Sequence, residues 1–220
     1  MNAKPQKENE YMRKLLLVAF LVLGYAPFAV AQSDSSRAEL FAGYSILRTD
    51  YKAKQTNPPM PVIVFFRGDQ TLNGFNVSGT GYFSRRFGIT GDFSGHFKTN
   101  SLADPLGGNI ETRIRIFNVL GGPQYKFRNN SRATPFVHAL AGITHTRARL
   151  SVASLRTSET RSSTDFALAL GGGLDVRVSD RIALRVIQLD YSPVFLRSNN
   201  ELGFSGTANN VRFSFGVVFR

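Results

Sequence analysis

The sequence predicts an all-β fold: eight antiparallel strands in up-and-down order, closed into a transmembrane β-barrel. Three observations predict it. From Arg37 onward apolar and polar residues alternate with period two, in segments rich in Phe, Val, Ile and Tyr and punctuated by Gly, Asn, Asp and Ser, which is the pattern of strands rather than helices. Most of these segments reach the ~9–11 residues that a tilted membrane-crossing strand needs, longer than the usual globular strand. The connections alternate between short turns and long polar loops, the layout of a barrel that crosses a membrane with all its short turns at one end.

Residues 1–31 are expected to be an address rather than part of the fold. Arg13 and Lys14 precede an apolar run at 15–23, Gly24 and Pro27 interrupt it, and Ala29-Val30-Ala31 follows. That is the charged, apolar, small-residue order of a secretory signal peptide, with Ala29 and Ala31 defining cleavage after Ala31. The run is too short for a spanning helix, which needs ~20 apolar residues. The barrel domain is then 32–220, with strands expected at 38–48, 72–84, 87–98, 111–127, 134–147, 164–178, 181–196 and 209–220. Short turns fall at Ser84-Arg85-Arg86, around Asn129-Asn130-Ser131 and at Ser179-Asp180-Arg181; long loops fall at 49–71, 99–110, 148–163 and 197–208. No further domain is expected after the eighth strand.

Soluble barrels alternate too, with the apolar face inward, so side-chain volume has to decide which face meets lipid. An eight-stranded barrel has an interior only just wide enough for side chains to fill. In the sixth segment Phe166, Leu168, Leu170, Leu174 and Val176 share one face, and Asp165, Ala167, Ala169, Gly171, Gly173, Asp175 and Arg177 share the other. The small and charged face suits the lumen. The third segment repeats this, with Phe87, Ile89, Phe93 and Phe97 opposed by Gly88, Thr90, Asp92, Ser94 and His96. In the second, Phe75, Val77 and Phe83 stand against Asn76, Ser78, Thr80 and Tyr82. The last places Phe213, Phe215, Val217 and Phe219 outside and Arg212, Ser214 and Gly216 inside. Within "IALRVIQLDY", Arg185 has the opposite parity to Gln188 and Asp190. That segment needs a bulge, a strand-end position or different boundaries.

The expected lumen set is therefore Glu39, Asp92, His96, Arg113, Arg115, Asp175, Arg177, Asp190 and Arg212. Such residues either line an ion path or pair with one another to fill a closed barrel; narrowness favours the paired filling, since buried charges must be compensated. His96, His138 and His145 are the only histidines, and none begins the His-x-Ser arrangement of the lipid A deacylases, so catalysis is not expected. "GGG" at 171–173 lacks phosphate-loop spacing and is read as room for curvature or for a neighbouring ring. The loop cations Lys52, Lys54, Arg67, Arg147, Arg149, Arg156, Arg161 and Arg197 would either contact lipopolysaccharide phosphates or stand as solvated loop tips. "PPMPVIVFF" at 58–66 is too apolar for a solvated loop and fits an added hairpin, a strand extension or a partner-binding edge.

Composition closes other routes. The 220 residues contain no cysteine, which removes disulfides and thiolate metal sites. The net charge of +12 is scattered singly along the chain, unlike the clustered face of a nucleic-acid binder. No cofactor is expected.

Several stretches resemble successive strands of the outer-membrane β-barrel domain family, the small OmpA-type and OmpX-type barrels of Gram-negative bacteria. They are "AELFAGYSILR", "FGITGDFSGHF", "TPFVHALAGITH", "FALALGGGLDVRVSDRIALRVIQLDY" and "NNVRFSFGVVFR". The resemblance implies an outer-membrane location, a structural or surface-interaction role, a monomer by default, and insertion by the barrel-assembly machinery. That machinery recognises an alternating apolar last strand, matched by Phe213, Phe215, Val217 and Phe219, although Arg220 stands where an aromatic residue is usual. A small passive pore, a lipid-modifying enzyme and a soluble ligand-binding barrel are the competing readings.

Overall fold

Period-two alternation is realised as ten strands among the described residues. In chain order they are β1 (Ala38–Tyr51), β2 (Lys54–Gln55), β3 (Asp69–Tyr82), β4 (Phe87–Ala103), β5 (Asn109–Lys126), β6 (Ala133–Val152), β7 (Thr157–Arg177), β8 (Ile182–Tyr191), β9 (Val194–Leu196) and β10 (Phe204–Phe219). The computed structural model describes residues 37–51, 54–55, 69–103, 108–129, 131–152, 157–196 and 204–220. The expected signal segment with Ala29 and Ala31, the apolar run 58–66, and Lys52, Arg67, Arg156 and Arg197 lie outside the described residues.

The ring runs β1-β3-β4-β5-β6-β7-β8-β10. It closes by antiparallel pairing of β1 with β10, from Leu40↔Phe219 to Tyr51↔Ala208. Closure removes the exposed edges that an open sheet would present. The protein is thus an eight-stranded antiparallel barrel, as the alternation predicts. The expected strand 181–196 is interrupted at Ser192-Pro193, where proline has no N–H to donate to the ladder. β9 resumes the same stave, pairing with both β10 and β7.

Strands extend further toward the long-loop end than expected. β4 runs to Ala103, β5 starts at Asn109, β6 continues to Val152 and β7 begins at Thr157, so much of 99–110 and 148–163 is ladder rather than loop. Backbone pairing needs no apolar face, and polar residues above the lipid band still satisfy their N–H and C=O groups across strands. Apolar alternation stops where the lipid stops; hydrogen bonding does not.

The parity conflict in β8 is a bulge. Opposite β7 the register passes from Leu174↔Ile187 directly to Asp175↔Arg185; opposite β10 it passes from Ser214↔Gln188 to Gly216↔Arg185. Val186 is the extra residue. Val186 and Ile187 consequently both face outward, while Arg185, Gln188 and Asp190 are all buried. A bulge adds one residue to one strand and so restores alternation on its far side.

Outward positions form an apolar belt that includes Phe93, Phe97, Val119, Ile143, Phe166, Leu170, Leu189 and Phe215. At the short-turn end Phe83, Phe87, Tyr125 and Phe127 make a continuous aromatic row, with successive ring centroids 6.5, 4.7 and 4.7 Å apart. Such a girdle marks a membrane interface.

Candidate functional site

The lumen holds the chemistry-bearing side chains, because inward positions of eight staves converge on one narrow column. Its centre is Arg212 of β10, whose side chain is 2% exposed. The guanidinium Nη1 donates to Asp92 Oδ1 at 2.7 Å and to Ser94 Oγ at 3.0 Å, both on β4. Nε donates to Asp190 Oδ2 of β8 at 2.9 Å, and Nη2 lies 2.7 Å from the same oxygen. In the ring β4 stands three staves from β10, with β1 and β3 between, so the side chain crosses the lumen. Further side chains complete the carboxylates: Asn76 Nδ2 donates to Asp92 at 2.7 Å, Gln188 Nε2 donates to Asp190 at 2.8 Å, and His138 Nε2 lies 2.8 Å from Asp190.

A second tie sits nearer the short-turn end. Lys126 Nζ of β5 donates to Glu39 Oε2 of β1 at 2.5 Å and to Asp175 Oδ2 of β7 at 2.7 Å. Arg185 Nε donates to Asp175 Oδ1 at 2.9 Å. Its guanidinium is held between the rings of Phe41 and Phe136, 4.4 and 4.1 Å from their centroids. Cation–π contacts on both faces, together with the carboxylate, fix that plane. Gln188 Oε1 accepts from Arg185 Nη1 at 2.8 Å and joins the two ties into one network. Glu39 also accepts from Tyr82, and Tyr82 from Gln124.

"GGG" makes room for this network. A Cβ on Gly171 would lie 2.2 Å from Asp190 Oδ1, and one on Gly173 would lie 2.9 Å from the ring of Phe136. The glycines therefore permit close approach of the ring that holds Arg185 and of the carboxylate that holds Arg212.

Toward the long-loop end apolar side chains enter the lumen among buried polar ones such as Thr49, Thr112, Thr146, Asp165 and Asn210. Leu47, Leu72, Ile114, Ile116 and Ala148 form one buried cluster; Leu120, Leu140, Ala167, Ala169, Val194 and Ala208 form another, and Leu196 packs against both.

A family model described as "Outer membrane protein beta-barrel domain" matches residues 15–220. The chain belongs to that family. Among solved structures, this outer-membrane barrel is similar to Ail, the attachment invasion locus protein of Yersinia pestis, in complex with the heparin analogue sucrose octasulfate. The two are 19% identical over 83% of this chain and 96% of that one, with a TM-score of 0.52. Neisserial surface protein A is 12% identical over 85% of this chain and 99% of that one, with a TM-score of 0.50. At such identities the likeness is one of fold. No curated protein matches the sequence.

Six of the nine expected lumen residues of this family barrel are buried inside it: Glu39, Asp92, His96, Asp175, Asp190 and Arg212. Three are not. Arg113 and Arg115 point outward on β5, where the buried positions are Thr112, Ile114, Ile116 and Asn118. Their parity follows Phe117 and Val119 without a break, and the lumen at this height takes isoleucine. Arg177 keeps the inward parity of Asp175 but lies at the end of β7 and is exposed to solvent. Lys126, Arg185, Gln188 and His138 were missing from the expected set. Lys126 was legible from its parity with Gln124 and against Tyr125, whereas Arg185 required the bulge.

His96 Nε2 lies 2.9 Å from Ser45 Oγ, and Ser45 Oγ lies 2.9 Å from Ser214 Oγ. A hydroxyl beside an imidazole is the start of a nucleophile–base pair, but no acid lies on His96 Nδ1 among the described residues, and all three side chains are fully buried. Ser94, two residues before His96, is spent on Arg212 and Asn118. No group of three or more His, Asp or Glu among the described residues is placed to hold a metal.

Proposed function

We propose that this outer-membrane barrel is a non-catalytic, non-conducting structural protein of the cell envelope that presents its long-loop end for surface interaction. The observation that carries the reading is the reach of Arg212 across the lumen to Asp92 and Asp190. A charge buried and paired from both sides is costly to displace, and the side chains of Leu47, Leu72, Ile114, Ile116, Leu120 and Leu140 fill space beside it that an ion would need for its water shell. The Ser45–His96 pair, sealed inside and lacking an orienting acid, gives a substrate nothing to reach. In this reading the chain enters the export route through residues 1–31, with cleavage after Ala31. Phe213, Phe215, Val217 and Phe219 of β10 then present the alternating face that the assembly machinery recognises.

Planar-bilayer recording tests it. Barrels of verified heat-modifiable gel mobility are expected to give no sustained conductance steps. Discrete long-lived steps from the wild-type protein would replace the reading by that of a small passive pore.

A further inference from the structure

The outer wall of β5 and β6 carries a cluster that the lumen does not use. Toward the long-loop end the outward residues of β5 are Val119, Phe117, Arg115 and Arg113; those of β6 are Ile143, His145, Arg147 and Arg149. The register sets Arg115 opposite Arg147 and Arg113 opposite Arg149. Neighbouring strands change character at the same height. On β4 Phe97 faces Arg115 and Thr99 faces Arg113; on β7 Phe166 faces Ile143, whereas Ser162 and Thr160 face Arg147 and Arg149. The apolar belt therefore ends where the arginines begin.

Like charges directly opposite across an antiparallel pair are destabilising, and here two such pairs are stacked. Glu111 serves only Arg113, whose side chain remains 51% exposed. Arg115, Arg147 and Arg149 form no ion pair among the described residues. An open recess of about 140 Å³ lies between Glu111, Arg113, Arg149 and Ser151. At the corresponding height on the opposite wall the ladder sets Arg48 between Thr71 and Val211. An anion placed between the opposed arginines would relieve their repulsion.

We infer that this quartet docks the phosphate groups of an outer-leaflet glycolipid, the phosphorylated lipid A portion of lipopolysaccharide. The inference rests on the proposed orientation, with the long-loop end outside. Guanidinium groups take phosphate oxygens two at a time. A phosphate lodged between opposed arginines replaces one repulsion by two attractions, and its acyl chains then lie on Phe97, Phe117, Ile143 and Phe166 immediately below. The same contiguity favours a lipid over a soluble polyanion, which gains nothing from that apolar surface.

Native mass spectrometry of the refolded protein in detergent, titrated with bisphosphorylated lipid A and with the same lipid after removal of its phosphates, tests the site. Wild-type protein is expected to bind the phosphorylated lipid at least tenfold more tightly. The variants R115Q/R147Q and R113Q/R149Q should each lose about tenfold, while R85Q/R86Q, with the same charge change at the short-turn end, should lose nothing. Thermal midpoints supply a second signature: without glycolipid R115Q/R147Q should melt no lower than wild type, and with it only the wild type should rise. Equal binding of the two lipids, or equal binding by variant and wild type, overturns the inference. Displacement of the lipid by heparin or inorganic pyrophosphate at matched anionic charge also overturns it, by making the occupant a soluble anion. Heat-modifiable mobility of each variant confirms that it folded. Trypsin added to intact cells tests orientation separately: cleavage at the Arg85-Arg86 turn would defeat the proposed orientation, whatever the lipid titration gave.

Discussion

Replacing Arg212 with Met keeps an unbranched apolar stem of similar reach and deletes only the charged fork. Asp92 and Asp190 are then left as carboxylates inside the barrel, 3% and 1% exposed, with their shared cation gone. Breaking a buried ion pair by removing one partner costs about 3–5 kcal/mol. Asn76 still donates to Asp92, and Gln188 and His138 still attend Asp190, so the loss falls near the lower end, about 3 kcal/mol on that scale. With a urea m-value of about 2 kcal/mol/M, the unfolding midpoint in lipid vesicles drops by about 1.5 M. Adding D92N and D190N to R212M neutralises the stranded charges and should recover more than half of the drop, since a pair removed as a whole costs far less than a pair broken. The assay is urea titration followed by heat-modifiable gel mobility. A midpoint for R212M within about 0.3 M of wild type, the size of an ordinary surface change, would refute the claim that Arg212 is the compensating charge of the lumen. So would a triple variant no more stable than the single one.

Two further outcomes follow from packing. Gly173→Leu places a Cβ 2.2 Å from Ile187 O and 2.9 Å from the Phe136 ring, and should cost about 1–3 kcal/mol as overpacking; Gly79→Ala, where a Cβ meets nothing within 4 Å, should stay within about 0.5 kcal/mol of wild type, both read by the same titration. Phe93→Arg on the middle of β4 should cost about 2–4 kcal/mol, whereas Phe87→Arg in the aromatic row at its end should cost about 0–1 kcal/mol; equal losses in vesicles would mean that the belt is misplaced.

Strand number, order and the inward set Asp92, His96, Asp175 and Arg212 were legible because alternation and side-chain volume are local properties. The fate of Arg113 and Arg115 was not. Charge alone placed them in the lumen, whereas their height on the strand, above the last outward aromatic, lets an arginine stand outside in the headgroup region. Leu47, Leu72, Ile114 and Ile116 reverse the simple rule that apolar residues face lipid. A narrow column must be filled, and beyond the charged ties nothing requires the filling to be polar. The bulge at Val186 left a trace in the broken parity of "IALRVIQLDY", but only the neighbouring strands fix which residue is extra. Which lumen residues bond to which was beyond reach, because the partners come from staves that are distant in sequence.

The cross-lumen ties also impose an order on assembly. Asp92 accepts from a guanidinium 120 positions later in the chain, and Lys126 waits 49 positions for Asp175 although Glu39 precedes it by 87. Among the described residues Arg212 of β10 is the cation on Asp92, so before β10 arrives beside β1 a partly rolled sheet would carry that charge into lipid without it. Loop closure over such spans costs entropy before it returns any contact. The last stave therefore delivers the ring seam and the missing charge together, and premature insertion of an incomplete sheet is penalised by the same group that completes the finished one.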